Sequence, residues 1–122
     1  MSVANYAELK VLDHLTGRAA WTAPSNVYVK LHTGDPGEDC TANAATEATR
    51  KLASWNAAAS GSIGTSATLE WTNVAATETV THWSLWDAAT GGNPLWYGSL
   101  SASAALTAGD TLQITVLSLS LN

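Results

Sequence analysis

Apolar residues recur at every third position near the start of the chain. Tyr6, Leu9, Leu12 and Leu15, with Val11 beside them, form one stripe and predict a short helix packed through that stripe. Asn5 and Glu8 stand at the spacing of a capping box, and Gly17 is suited to closing the helix in a left-handed conformation. The helix is therefore placed within residues 1–17. Residues 18–26 predict an extended connector, since Pro24 disfavours helix just before it. From Val27 the period becomes two. Val27, Val29 and Leu31 point one way and Tyr28, Lys30 and His32 the other, as in a half-buried strand with His32 facing outward. Thr33-Gly34-Asp35-Pro36-Gly37 ends it as a turn.

Further along, the alternation returns in shorter stretches. An acidic, Ala/Thr-rich loop over 38–49, with room for one helical turn, precedes a second strand over Arg50–Ala57 whose largest apolar residues are Leu52 and Trp55. Ala58–Thr65 is rich in small residues and predicts a loop. Ala67, Leu69 and Trp71 then alternate with Thr68, Glu70 and Thr72, and Thr79–Asp87 predicts another strand carrying Val80, Trp83, Leu85 and Trp86. Thr90-Gly91-Gly92-Asn93-Pro94 is a strong turn signal, with Leu95–Leu100 as the hairpin partner before a small-residue loop. The last strand covers Thr111–Leu121. Its apolar phase slips by one residue at Val116–Leu117, which predicts a bulge or a change of pairing partner. Six or seven strands without long intervening helices define an all-β chain. We expect an antiparallel β-sandwich, jelly-roll-like, with a short N-terminal α-helix. Residues 1–122 are read as a single domain, with the sandwich over 27–122, and no internal repeat is evident.

Composition alters this picture in two ways. Only 12% of the 122 residues are charged, against roughly 25% in an average soluble protein. Ala, Thr and Ser number 22, 16 and 12, so the surface must be unusually neutral. The net charge of −5 argues against a nucleic-acid partner, because phosphates are met chiefly by Lys and Arg. The charge is also lopsided: Lys10, Arg18, Lys30, Arg50 and Lys51 are the only bases, so residues 52–122 hold acids alone. No stretch approaches the ~20 apolar residues of a membrane span. The first residues lack the basic start and apolar core of a signal peptide, so synthesis in the cytoplasm is expected.

Candidate chemistry is sparse. His14, His32 and His82 are not paired at metal-ligand spacing, and Cys40 has no Cys-x-x-Cys partner. There is no nucleophile elbow, phosphate loop or dinucleotide fingerprint, so no catalytic, cofactor or metal site is expected. Asp35, Glu38 and Asp39 form an acidic cluster without the alternating spacing of a calcium loop, and read as a solvated turn. Six Trp and no Phe invite a sugar-stacking reading, with Trp83, Trp86 and Trp96 on the paired hairpin strands as a platform. Tryptophan is also the only large aromatic filler available, which favours core or interface roles.

Two long motifs resemble a known family. Val27-Tyr28-Val29-Lys30-Leu31-His32-Thr33-Gly34-Asp35-Pro36-Gly37 is similar to a stretch of small tailed-phage virion proteins commonly labelled tail fibre proteins. Thr81-His82-Trp83-Ser84-Leu85-Trp86-Asp87 through Asn93, then Leu95-Trp96-Tyr97-Gly98, continues the likeness, as do Leu12-Asp13-His14-Leu15 and Gly109-Asp110-Thr111. Asp39–Thr49 departs from it: the family usually has a Gly-rich segment there, and only Ala48-Thr49-Arg50 echoes the run that follows. The resemblance implies a structural protein of the virion. A free-standing fibre usually needs a shaft, and the chain has neither heptads nor repeats. We therefore expect a decoration (cement) protein on the outside of the capsid, with the major capsid protein or other virion proteins as partners. A homo-oligomer is expected with it, a trimer foremost. The alternative is a tail fibre or tail-tip part with glycan adhesion through the three tryptophans. The expected contact residues are Tyr6, Lys10, Arg18 and Trp21 from the helix and connector, with Arg50 and Lys51 from the second strand.

Overall fold

Alternation of large apolar residues builds the centre of the fold, and backbone pairing carries it outward into segments that lack such residues. The computed structural model describes residues 2–121. In chain order the elements are β1 (Ser2–Val3), α1 (Asn5–Leu15), β2 (Val27–His32), β3 (Lys51–Ala53), β4 (Ser62–Gly64), β5 (Leu69–Trp71), β6 (Glu78–Trp86), β7 (Pro94–Leu106), β8 (Leu112–Ile114) and β9 (Ser118–Ser120). The fold is all-β and antiparallel with one short helix, as expected. A five-stranded sheet runs β1-β7-β6-β2-β3, and two ribbons, β4-β9 and β5-β8, form separate two-stranded sheets.

The pleat decides which residues meet. In the β2–β6 register Leu31 lies opposite Trp83 and Val29 opposite Leu85, so these four share one face. The ribbons contribute Leu69, Trp71, Leu112 and Ile114 to the same buried cluster, with Leu117 beside them. The opposite face carries Tyr28, Lys30, His32, Ser84 and Trp86. It is covered in part by the start of the chain and by the strap after β2, through a second cluster of Ala4, Cys40 and Trp86 with Tyr97 packed against it. His32 is therefore buried, not outward: its Nδ1 lies 2.9 Å from the Ala42 carbonyl and its Nε2 2.7 Å from Ser84 Oγ. The strap converts what would be a solvent face into a second interior.

The phase slip at Val116–Leu117 is a change of partner. Leu112–Ile114 pairs with β5, while Ser118–Ser120 pairs with β4. Thr65 marks the crossing, where its N–H donates to the Leu117 carbonyl and its hydroxyl accepts from the Leu117 N–H, both at 3.0 Å. Three expectations are corrected. The small-residue loop over 58–65 contains β4, the strand expected over Arg50–Ala57 is only Lys51–Ala53, and β7 runs on to Leu106. Pairing of β7 with β6 jumps from Ser99–His82 to Ala104–Val80, so residues 100–103 bulge out of the ladder.

The helix also departs from its expected orientation. Ala7 is its buried residue, while Leu9, Leu12 and Leu15 face solvent. An i, i+3 row retreats about 60° around the axis at each step, so three such leucines wind away from the packed side held by Ala7 and half-buried Val11. The capping box does not form. Ala4 is the N-cap, with its N–H donating to the Leu95 carbonyl at 3.0 Å, and no side chain caps the helix. The Asn5 side chain donates instead to Asp39 Oδ1 at 3.4 Å. Gly17, at φ +75°, closes the helix as expected.

The β6–β7 turn is stapled from two sides. Asp87 accepts from the Asn93 backbone and side-chain amides at 2.7 and 3.0 Å, and Arg50 Nη1 donates to the Ala88 and Gly91 carbonyls at 2.9 and 2.8 Å. Gly92 sits inside at φ +74°, where a Cβ would lie 2.5 Å from Asp87 Oδ1 and 2.7 Å from the Ala88 Cβ. Gly92→Ala is expected to lower the unfolding free energy by about 1–3 kcal/mol in urea titrations, because both the backbone angle and the space are wrong for a side chain.

Candidate functional site

Four of the six expected contact residues come together where α1 meets the connector. The Tyr6 and Trp21 rings meet edge to face, with centroids 6.5 Å apart and planes at 78°. Lys10 Nζ lies 5.6 Å from the Tyr6 ring centre. Arg18 pairs with Asp13 at 3.3 Å, and the Trp21 N–H donates to His14 Nδ1 at 3.1 Å. These contacts hold the connector against the helix. Beyond them stands the outward ridge of Leu9, Leu12 and Leu15, which are 68%, 58% and 75% exposed although the apolar stripe predicts them to be packed. The signal was present as the apolar stripe itself. What the pattern lacked was the neighbouring i, i+4 pair Ala7 and Val11, whose small size hid the face that packs.

Arg50 and Lys51 lie elsewhere. Lys51 opens β3, opposite Val29 of β2. Arg50, just before it, grips the β6–β7 turn and places its guanidinium carbon 4.2 Å from the Trp86 ring centre. Lys30 Nζ lies 5.6 Å from the same ring. Two cations thus share one indole. Burial lowers the Lys30 pKa from its ordinary value, and the nearby Arg50 charge pushes the same way. Burial also lowers that of Arg50, against the attraction of Asp87.

The three tryptophans do not form a common platform. Trp96 pairs with Leu85 and therefore shares the core face with Trp83, whereas Trp86 points to the opposite face. Trp83 and Trp86 are only 4% and 7% exposed, and their Nε1 groups donate to the Ser99 carbonyl at 3.3 Å and to Ser84 Oγ at 2.8 Å. Half-buried Trp96 lines an apolar cleft of about 290 Å³ with Ile63, Leu119 and Leu121. Its buried Nε1 has no partner among the described residues.

Several titratable groups are committed to structure. The Ala42 carbonyl can only accept, so His32 carries its proton on Nδ1, and its Nε2 accepts from the Ser84 hydroxyl, whose oxygen in turn accepts from Trp86 Nε1. This serine–histidine pair is fully buried. His82 Nδ1 lies 2.7 Å from the hydroxyl of its neighbour Thr81. Burial, helped by the Asp39 charge, pushes the Cys40 thiol up to about 12, far from the range of a reactive thiolate. Of the acidic cluster, Asp35 accepts from the Gly37 N–H at 2.9 Å and Asp39 from Asn5. Among the described residues no three His, Cys, Asp or Glu side chains gather as a metal site, and no helix is long and apolar enough to cross a membrane.

This is a neutral antiparallel β fold with most of its buried polar groups bonded internally and an apolar ridge left outside. Together with the two long motifs it belongs to the structural proteins of the tailed-phage virion. More narrowly, the chain belongs to the family described as podophage GP4 fiber I protein gp80, whose family model matches residues 2–122. The match takes in all the motifs that carry the resemblance, from the helix to Gly109-Asp110-Thr111. A comparison with curated proteins finds no match.

Proposed function

We propose that this chain is a fibre-type subunit on the outside of a podophage virion, anchored to a neighbouring virion protein through the outer face of α1 and the connector. The observation that carries this reading is the exposed ridge of Leu9, Leu12 and Leu15, continuous with Tyr6 and Trp21 and flanked by the cations Lys10 and Arg18. Apolar ridges of this kind on small proteins mark contact sites. The partner surface it fits is an apolar groove. The neutral Ser, Thr and Ala surface supports the reading, since such faces lose little when water is removed from them.

A decoration protein on the capsid is the second reading. What favours it is the shape of the elements: the helix has 11 residues and the longest strand 13, with nothing resembling a shaft among the described residues. Immunogold labelling of intact particles separates the two, by label on the tail or over the head.

The anchoring face has its own test. Because both side chains are exposed, the double variant Leu9→Gln/Leu12→Gln should keep the wild-type melting temperature within a few degrees, glutamine being a good helix former. Its attachment to particles in a sedimentation assay should weaken by roughly 100-fold or more, since burying each of the two leucines is worth about 1.5–3 kcal/mol. Sedimentation at the wild-type level would overturn the assignment.

A further inference from the structure

We propose that Lys30 and Arg50, held at the Trp86 indole on the face opposite the main core, form a subsite for one anionic group, a carboxylate or phosphate carried by a bound small molecule. The chain has only five bases, and two of them converge on a single ring. Neither has an acidic partner at ion-pair distance: among the described residues the one ion pair is Arg18 with Asp13. Two cations brought together and half-buried repel each other, and the depressed pKa values of both register burial and, for Lys30, the charge of Arg50. An anion placed between them would remove that repulsion.

The site is also built to be rigid. Arg50 Nη1 is occupied by the Ala88 and Gly91 carbonyls, which fixes the guanidinium plane and leaves its other N–H groups for a ligand. Lys30 rises from the middle of β2, opposite Ser84. Trp86 is held by its bond to Ser84 Oγ. Asp87, the acid that acts on Arg50, is bonded to Asn93 and makes no ion pair with Arg50 among the described residues. Half-buried Tyr28, opposite Trp86 on the same face, and exposed Leu52, opposite Tyr28, would border a ligand larger than the anion itself.

The test is a titration of ¹⁵N-labelled protein with inorganic phosphate and, separately, with glucuronate, at constant ionic strength set by chloride. The Trp86 indole N–H and the Arg50 side chain are the reporters. At least one probe should shift them saturably, with an affinity weaker by about tenfold in Lys30→Gln and restored in Lys30→Arg, the scale of one charge-assisted hydrogen bond. Saturation by phosphate alone, by glucuronate alone or by both supports the subsite and identifies what carries the anion. The proposal is overturned if neither probe saturates, if chloride produces the same shifts, or if Lys30→Gln binds as well as the wild type. Lys30 lies outside the leucine ridge, so none of these outcomes bears on how the subunit is anchored.

Discussion

Trp71→Ala is expected to cost about 3–5 kcal/mol, the largest loss from any single truncation in this chain, and to leave it partly unfolded at 37 °C. Trp71 is 1% exposed and lies in β5, where it packs in the cluster shared by the main sheet and the ribbons. Its Nε1 donates to the Thr49 carbonyl at 2.8 Å, tying the segment before β3 to the core. Truncation opens a cavity too large to collapse and leaves that carbonyl without its partner. Trp71→Phe separates the two contributions. It retains most of the packing and should cost roughly 1–3 kcal/mol for the hydrogen bond and the lost ring volume. Urea midpoints with unchanged slopes would report both. A Trp71→Ala midpoint within the error of the wild type would mean that the ribbons are not cooperative with the main sheet.

The second large effect concerns His32. Burial lowers its pKa below the ordinary 6.5, with the Lys30 and His82 charges acting in the same direction and the Ala42 hydrogen bond opposing. The unfolded chain therefore takes up the proton first as the solution is acidified. Stability linked to His32 is fully present above about pH 6.5. It falls as the pH drops from there toward the lowered folded-state value, by up to about 1.4 kcal/mol per pH unit, and levels off below that value. Protonation also replaces the Nε2 lone pair that accepts from Ser84 with a second donor. Melting temperature should decline between pH 7 and 5 in the wild type and decline less in His32→Gln. His32→Ala should cost about 2–4 kcal/mol at pH 8, because it leaves a cavity with the Ser84 hydroxyl and the Ala42 carbonyl unpaired. A wild-type profile that parallels that of His32→Gln throughout would remove His32 as the cause.

Much of the fold is legible in the sequence where side chains are large. Val29, Leu31, Leu69, Trp71, Trp83 and Leu85 announce β2, β5 and β6 because large apolar residues recur there at every second position. The Gly91-Gly92-Asn93-Pro94 turn announces the hairpin. Where alternation is carried by Ser, Ala and Gly, as in β4 and the outer half of β7, the pattern falls silent, since backbone pairing does not depend on side-chain size. The placement of His32 depends on a strap about ten residues further along, and its cover cannot be read from the strand alone. The grip of Arg50 on Ala88 and Gly91 joins positions about forty apart, beyond any local periodicity. The leucine ridge was visible as a stripe, but its direction followed from the smaller residues beside it.

The change of partner at Leu117 also sets the order in which the molecule can assemble. Ile63 waits for Leu119 and Leu69 for Ile114, so each ribbon is completed by a strand synthesised roughly fifty residues later. A nascent chain that has emerged only as far as Asp110 has the main sheet in hand but neither ribbon closed, with Trp71 and Leu69 still uncovered. Closure over such distances is slow, and the uncovered state is the one most exposed to aggregation and proteolysis. The final strands act as a late latch, and a chain stalled before them would be an early target for degradation.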